Sequence, residues 1–376
     1  MKRLTLVAAL LLAAANLSAL TSGDDAIELR DLEYLANGPV ALTPAKVDDS
    51  RKDYLRILVV ARASHDGSRD ALPLINDLAL RFPDAKFVVI SPDPASEVKK
   101  LFDPHKNINF AAAVDTKKEN SRLYMGSGAV YPRAFVINYQ GKIIWDGEVI
   151  DLEEMLTRFQ NGTFDPDIQK KISPALQDLQ SRLRSGEDRM AAHATKNVLE
   201  LDPGNAAALR MRIFMLESTN RVADAWSLAG EELKKSPKNP RLYLLLLDLA
   251  SRHAGLSAEL PKVAANYLAS TSPNSASDGA VAWNLLNGYP FDPELLRLSG
   301  LIVARSLPEA IKHKPELGDA DLFSATALYC SRIGRLDKAC MYQQKVCSVL
   351  EKIAPHRLDA AKKLEAYYLQ AKDFGK

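Results

Sequence analysis

Residues 55–82, LRILVVARASHDGSRDALPLINDLALRF, decide the fold of the first part of the chain. Residues 57–60 form a short apolar run rich in β-branched side chains, which is typical of a buried strand. After a polar turn over residues 61–67, apolar side chains recur at helical spacing, namely Leu72, Ile75, Leu78 and Phe82. The pattern therefore predicts a strand that leads directly into a helix.

The turn between them contains His65, Asp66, Gly67 and Ser68. One interpretation is a plain strand-to-helix connection, in which Gly67 supplies flexibility and Ser68 is the N-cap. The alternative is a small polar site formed by His65 and Asp66 at a helix N-terminus, where backbone N–H groups favour anions. A serine hydroxyl in this turn would not act as a nucleophile, as a cysteine thiolate does, unless a base lay beside it.

A second informative stretch is AVYPRAFVINYQGKIIWDGE, residues 129–148. It predicts two strands, 133–138 and 142–146, joined by a tight turn at residues 139–141. Between the two stretches, strand patterns at 86–91 and 109–114 alternate with short helical patterns. This alternation predicts a mostly parallel sheet.

Over residues 42–167 these patterns resemble thioredoxin-like domains of the secreted thiol-disulphide oxidoreductase and peroxiredoxin kind. Such domains carry a CxxC pair or one reactive cysteine in the turn, and alignment on Pro73 places the residues from His65 to Ser68 there. They also carry a cis-proline before the hairpin, where this chain has Tyr131 and Pro132. The resemblance implies that Tyr131 and Pro132 face a turn that has lost its redox cysteines.

Composition and the first residues indicate the class of protein. The chain has 376 residues, enough for two or three domains, and its net charge of +2 without a long basic run argues against a nucleic-acid-binding protein. Lys2 and Arg3 precede an apolar run and small residues up to Ala19, as in a secretory signal peptide. We expect a signal peptide at 1–19, a leader at 20–45 and a thioredoxin-like domain at 46–165. Export to the periplasm or the extracellular space follows, with membrane attachment only if the signal peptide stays uncleaved.

The rest of the chain shows helical patterns with an internal period. Three residues of one unit are matched 34 positions later by residues of similar role, Gly186, Ala191 and Pro203 by Asn220, Ala225 and Pro237. A glycine or asparagine ends a helix in a left-handed turn, alanine allows close helix packing, and proline stops a helix. The unit resembles the tetratricopeptide repeat, which implies an all-α solenoid over residues 170–376, irregular at 275–317.

Repeats of this kind bind a protein or an extended peptide along the face formed by their first helices. The resemblance places these groove candidates on that face: Arg184, Arg210, Phe214, Arg241, Asp248 and Arg252. Arginines around an aromatic side chain would suit an acidic peptide. The alternative is that they are ordinary solvated side chains on helix surfaces.

The three cysteines, Cys330, Cys340 and Cys347, all lie in the repeats. Cys340 and Cys347 are too far apart on one helix to form a disulphide, since seven residues span about 10 Å. We expect buried, inert thiols, and neither a disulphide framework, a metal site nor a cofactor.

These patterns favour an exported protein- or peptide-binding scaffold with a redox-inactive thioredoxin-like domain and no catalytic residue. The alternative is a thiol-disulphide oxidoreductase or peroxidase that uses a cysteine of the repeats. A third hypothesis is a non-redox site formed by His65, Asp66 and Tyr131.

Overall fold

The computed structural model describes residues 19–44, 46–47, 50, 52–102, 108–126, 130–290, 292–313, 316–354 and 357–374. Apart from Ala19, the predicted signal peptide lies outside these residues. Across the described residues, every helix is too short or too polar to cross a bilayer. The chain divides into two compact units, Met1–Ser173 and Pro174–Lys376.

The first unit is an α/β fold around one sheet. Its strands are β1 (Glu33–Ala36), β2 (Leu55–Val60), β3 (Ala85–Ser91), β4 (Ala111–Val114), β5 (Arg133–Ile137) and β6 (Ile143–Glu148). Its helices are α1 (Asp66–Arg81), α2 (Ala95–Phe102), α3 (Glu119–Met125) and α4 (Leu152–Gln160), while α5 (Pro166–Arg184) begins in this unit and ends in the second.

The strand order of the sheet is β1-β4-β3-β2-β5-β6. β3 pairs in parallel with β2 and β4, as the alternation of strands and helices predicts. The three remaining pairs, β1 with β4, β2 with β5 and β5 with β6, are antiparallel. The sheet is therefore mixed rather than mostly parallel, because a hairpin closes one side and an N-terminal strand closes the other.

Residues 20–44, which belong to the segment 20–45 that the sequence analysis treats as a leader, are part of the folded unit. They contribute β1 at the edge of the sheet, and Leu42 is fully buried. The Glu28 carboxylate accepts hydrogen bonds from the backbone N–H groups of Leu42 (3.0 Å) and Thr43 (2.8 Å), which fastens the segment. A strand of four residues is too short to produce a clear periodic pattern, so the sequence did not reveal it.

The Asp146 carboxylate on β6 joins distant parts of the first unit. Asp146 is 2% exposed, and it accepts hydrogen bonds from the Ser22 backbone N–H (2.9 Å) and hydroxyl (3.0 Å). It also accepts from the Ser173 hydroxyl and forms an ion pair with Arg133. A buried carboxylate needs such partners, since an unpaired buried charge is strongly unfavourable.

The second unit is all-α. After α5 it contains α6 (Asp188–Leu201), α7 (Ala206–Ser218), α8 (Val222–Lys235), α9 (Pro240–Arg252), α10 (Leu260–Ser270), α11 (Ser275–Gly288), α12 (Pro293–Ala310), α13 (Leu317–Arg332), α14 (Leu336–Ile353) and α15 (Leu358–Phe374). Each helix from α6 onwards packs on the next, apart from α10 and α11. In addition α7, α9, α11 and α13 pack on one another in order, so helix pairs stack around a continuous apolar core.

The special positions of the repeat pattern behave as predicted. The predicted turn residues adopt left-handed φ angles, +70° at Gly186 and +58° at Asn220, and the predicted close-packing alanines, Ala191 and Ala225, are 0% exposed. The same two features recur at α13 and α14, where Gly334 has a φ of +74° and Ala339 is 0% exposed. Over residues 275–317, where the sequence period is lost, α11 and α12 have 14 and 18 residues, whereas the preceding pair, α9 and α10, has 13 and 11.

A buried polar network joins the helices of this irregular part. Asp278 on α11 is 0% exposed and accepts hydrogen bonds from the Tyr267 hydroxyl (2.6 Å) and the Arg305 Nε–H (2.8 Å). The Arg305 guanidinium also donates to the Thr271 carbonyl (3.0 Å). Three successive helices and the turn between α10 and α11 are thus held by one satisfied ion pair.

We expect Asp146→Ala to lower the free energy of unfolding of the first unit by about 3–5 kcal/mol, because it removes the buried acceptor of the Ser22 and Ser173 donors and leaves the half-buried Arg133 guanidinium without its counter-charge. Urea unfolding followed by Trp145 fluorescence, in a background where Trp226 and Trp283 are phenylalanine, measures this. The matched control is Asp84→Asn, an exposed carboxylate of the same unit. Equal stability of the two variants would contradict the central role of Asp146.

Candidate functional site

The turn between β2 and α1 differs from the predicted connection. α1 begins at Asp66, and His65 is its N-cap residue without a side-chain capping hydrogen bond. Ser68 is fully buried, and its hydroxyl accepts a hydrogen bond from the Arg62 backbone N–H (3.0 Å). Gly67 lies in the first helical turn with a φ outside the left-handed region. The prediction that Ser68 is the N-cap is therefore wrong, and Gly67 adopts no left-handed conformation in this turn.

Residues 130–132, which precede β5 and are called the Pro132 loop below, lie directly beside this turn. The Tyr131–Pro132 peptide bond is cis. A Cβ atom added to Gly67 would lie 3.8 Å from Pro132 Cδ and 3.2 Å from His65 Nδ1. The structure thus brings His65, Gly67 and Pro132 together, as the resemblance implies.

Two residues that the sequence analysis did not single out, Arg62 and Asp93, support this arrangement. The Arg62 guanidinium donates to Asp93 Oδ1 (3.1 and 3.2 Å) and lies 5.5 Å from the centroid of the Tyr131 ring. Asp93 Oδ2 accepts a hydrogen bond from the Ser64 backbone N–H (3.2 Å). Arg62 and Asp93 each follow the carboxyl end of a strand. Because polar residues at the carboxyl ends of strands often form binding sites, this position in the sequence could have identified them as site residues.

The surroundings of Tyr131 hold its phenol in the protonated form. Burial, together with the Asp93 and Asp115 carboxylates, raises the pKa of Tyr131 against the opposing effect of Arg62. The phenol therefore remains protonated at neutral pH. The Asp66 carboxylate pairs with Arg69, and among the described residues it forms no hydrogen bond with His65. Among the described residues, Asp66 is therefore paired with Arg69 rather than with His65 or Tyr131.

A pocket of about 340 Å³ opens beside Pro132. It is bounded by α1, the Pro132 loop and the end of β6, and its lining is Gly67, Asp70, Ala71, Leu74, Val130, Tyr131, Pro132, Glu148, Val149 and Ile150. Val130 is 38% and Ile150 59% exposed, so the rim presents apolar surface to solvent. A concave, mainly apolar surface with a few polar groups is typical of a binding site.

The Tyr131 backbone offers hydrogen bonds at the edge of this pocket. Over the described ranges, neither its N–H nor its C=O forms a hydrogen bond, although β5 is paired on both sides from Arg133 onwards. Backbone groups without protein partners are available to a bound chain in extended conformation.

The groove candidates of the second unit do not form a set of free cations. The Arg252 guanidinium donates to both carboxylate oxygens of Glu217 (3.0 and 2.8 Å) and pairs with Asp248. Arg210 and Arg241 are half-buried, and each interacts with other groups of the protein. Arg184 is exposed, and Phe214 is 74% exposed. The exposed aromatic ring is the most distinctive feature of this face.

The three cysteines are free thiols. Cys330 and Cys340 are each 5% exposed and belong to one small apolar cluster with Tyr368. Burial raises the pKa of the Cys347 thiol to about 11, and its hydrogen bond to the Glu365 carboxylate adds to this effect. Burial likewise raises the pKa values of Cys330 and Cys340. Among the described residues, no three or more His, Cys, Asp or Glu side chains lie close enough together to hold a metal ion.

Comparison with known proteins gave matches among solved structures alone: no family model and no curated protein matches the chain. A protein described as thiol:disulfide interchange protein DsbE from Chlorobium tepidum is 19% identical with a TM-score of 0.30, over 38% of this chain and 99% of the other. A protein disulfide isomerase described from Bacteroides thetaiotaomicron is 17% identical with a TM-score of 0.31, over 41% and 95%. A peroxiredoxin-like protein from Aquifex aeolicus is 16% identical with a TM-score of 0.30, over 38% and 88%. TM-scores of this size do not by themselves establish a shared fold or activity.

We expect the thiols of the native protein to react slowly with 5,5′-dithiobis(2-nitrobenzoate). With a pKa of about 11, Cys347 is only ~0.1% thiolate at pH 8. Its reaction rate should therefore increase about tenfold for each unit by which the pH is raised, as long as the pH stays below the pKa. Stopped-flow absorbance measures the rate, and a denatured sample, in which all three thiols react, is the control. Rapid labelling of the native protein at pH 7 would contradict the raised pKa values.

Proposed function

We propose that this chain is an exported scaffold that binds proteins or extended peptides through a redox-inactive thioredoxin-like unit and a tetratricopeptide-like helical array. The observation that carries the proposal is the pocket beside Tyr131 and Pro132, which adjoins free backbone groups and a turn without a thiol. The site thus has the means to hold a peptide and lacks a nucleophile to modify it.

The architecture of both units supports this proposal. In the first unit, a buried strand leads into α1, and the cis peptide before β5 lies beside the start of that helix. In the second, paired helices stack in order, with left-handed turns and buried alanines at the predicted positions. Export is supported by the basic and apolar pattern of residues 1–19.

The pocket suggests how a peptide binds. An extended chain that passes the Pro132 loop forms backbone hydrogen bonds with the N–H and C=O of Tyr131, and one of its side chains enters the pocket. The backbone bonds are independent of sequence, whereas the pocket selects the side chain. Because Asp93 holds Arg62 against the Tyr131 ring, the loop is positioned before the peptide arrives.

The face of the second unit is proposed as a further contact for an acidic peptide. Phe214, at 74% exposure, is the anchor on α7, and Arg184 is an exposed cation on α5. The pairing of Arg252 with Glu217 and Asp248 lowers the number of arginines available to an anionic ligand. Aromatic anchors of this kind contribute much of the binding free energy in protein interfaces.

The alternative, a thiol-disulphide oxidoreductase or peroxidase, depends on Cys330, Cys340 or Cys347. Burial raises the pKa values of all three thiols, and neighbouring carboxylates add to this effect at Cys340 and Cys347, whereas thiol catalysis requires an accessible thiolate. We expect neither insulin reduction nor hydroperoxide consumption above background, by the parent protein or by a variant with all three cysteines changed to serine. Activity that is present in the parent and lost in the variant would favour the enzyme.

We expect the first unit to bind an unfolded chain, for which reduced, carboxymethylated α-lactalbumin is the probe. Gly67→Leu fills the space between α1 and Pro132 and should weaken binding about tenfold, which corresponds to about 1.4 kcal/mol. Val130→Arg, at an exposed position of the rim, should do the same without affecting folding. Gly288→Leu is the control, since a Cβ added there meets open space. Fluorescence anisotropy measures affinity, and equal binding by all four proteins would contradict the proposed site.

A further inference from the structure

A groove of about 500 Å³, called the α8–α10 groove below, opens between these two helices of the second unit, and α9 forms its floor. The buried side chains of Tyr243, Leu246 and Val263 make the floor apolar. Trp226 and Leu233 on α8 are half-buried and complete the apolar interior. Further along the unit α10 packs directly on α12, whereas the groove separates α8 from α10. Helix packing is therefore incomplete at this place.

Gly230 keeps the wall of the groove open on α8. It lies in the interior of the helix with a φ outside the left-handed region, and a Cβ atom added to it would meet no other atom within 4 Å. Neither the backbone conformation nor the packing requires a glycine here, although glycine lowers the stability of a helix interior. Because Gly230 lines the groove, a side chain at this position would take up part of its volume.

The helices α8 and α10 run in the same direction along the groove. The Tyr243 hydroxyl, at the start of α9, lies 3.0 Å from the Pro237 carbonyl oxygen and 3.3 Å from the Asn266 carbonyl oxygen. Pro237 follows α8 and Asn266 belongs to the second half of α10, so the carboxyl ends of the two helices lie at the same end of the groove. From Trp226 to Lys234 the wall on α8 extends over about 12 Å, or about two helical turns, at ~1.5 Å per residue.

Exposed charges on the rim differ between the two ends. Glu259 directly precedes α10, and Lys234 lies in the last turn of α8. Glu231 and Lys262 lie between them along the groove, and Glu231 accepts a hydrogen bond from the Ser227 hydroxyl (3.5 Å). Within the described part of the chain, Glu259, Lys234 and Lys262 form no ion pair. The rim is therefore negative at the amino end of the two helices and positive at their carboxyl end.

These walls suit a helix better than an extended chain. The lining residues of α8, α9 and α10 use their backbone groups within their own helices, so an extended chain would leave its N–H and C=O groups without partners in the groove. A helix satisfies those groups internally, and an amphipathic helix can place its apolar face between two others. The helix dipoles favour a docked helix antiparallel to α8 and α10, with its amino end near Lys234.

We propose that the α8–α10 groove binds an amphipathic helix of a partner protein. Its sequence carries an acidic residue at position i, large apolar residues at i+3 and i+4, and a basic residue at i+7. The apolar pair enters the groove beside Trp226 and Leu246, the acidic residue pairs with Lys234, and the basic residue pairs with Glu259. Seven residues of a helix span about 10 Å, which matches the length of the wall. This site is separate from the Pro132 pocket and from the exposed Phe214 ring on α7.

The test uses the full chain and fluorescein-labelled peptides, with fluorescence anisotropy as the measurement. The first peptide is Ser-Ala-Glu-Ala-Gln-Leu-Leu-Ala-Gln-Lys-Ala-Gly; a second exchanges its glutamate and lysine, and a third replaces both leucines by glutamine. We expect saturable binding of the first peptide and loss of binding of the third. The second should bind about tenfold more weakly, since each exposed ion pair contributes a factor of about two to five. In a background where Trp145 and Trp283 are phenylalanine, binding should change the fluorescence of Trp226.

Variants of the protein locate the site. Gly230→Leu should weaken binding of the first peptide at least tenfold without lowering the Tm, because leucine takes up groove volume and favours the helix. Gly288→Leu is the matched control, since a Cβ added there also meets open space and Gly288 lies outside the groove. The double variant Glu259→Lys, Lys234→Glu should reverse the preference, so that the charge-exchanged peptide binds more tightly than the first. This reversal does not depend on the helicity of the free peptides.

Several outcomes would overturn the proposal. One is absent binding of the first peptide, and another is binding that Gly230→Leu leaves unchanged. A preference that persists in the double variant contradicts the roles of the rim charges. Equal binding of a peptide with proline in place of its central alanine would mean that the ligand is extended rather than helical. Self-association of the full chain that Gly230→Leu abolishes would assign the groove to a second copy instead.

This inference and the proposed function fail independently. Peptide binding that is lost in Val130→Arg or Phe214→Ala and kept in Gly230→Leu overturns the α8–α10 groove, because the peptide then occupies the sites proposed above. Binding of reduced, carboxymethylated α-lactalbumin tests those sites and does not require the groove.

Discussion

The first unit depends on one buried carboxylate, that of Asp146. It gathers donors from Ser22, from Arg133 at the start of β5 and from Ser173 within α5, so three distant segments are held against β6. One of these donors, Arg133, directly follows Pro132 in the chain. The need to compensate a charge in the interior thereby positions the loop that forms the candidate site.

The same principle recurs elsewhere in the structure. Asp93 receives Arg62 and the Ser64 N–H, which fixes the two loops that follow β2 and β3. In the second unit, Asp278 receives Tyr267 and Arg305 where the repeat period is lost. Satisfied buried charges of this kind restrict the geometry of their neighbours, because any displacement would leave a polar group unpaired.

The candidate site has the shape to hold an extended chain, but the turn beside it contains no thiol. The Pro132 loop, the start of α1 and the pocket form an arrangement that can hold an extended chain, yet Ser68 is buried and bonded to the Arg62 backbone. The thiols that remain are far along the sequence and have raised pKa values. The proposed function as a binding protein rests on this combination of a surface that can hold a chain and a turn without a thiol.

The sequence by itself determined the features that depend on local periodicity: the strand into α1, the β5–β6 hairpin, the helical second unit and its left-handed turns at Gly186 and Asn220. It also placed Tyr131 and Pro132 opposite the turn through family resemblance. Tertiary structure alone decided that β1, in the predicted leader, completes the sheet, that Arg62 and Asp93 support the site, and that Arg252 is neutralised by Glu217. These features join residues that are up to 124 positions apart, and no local pattern specifies which distant groups will meet when the chain folds.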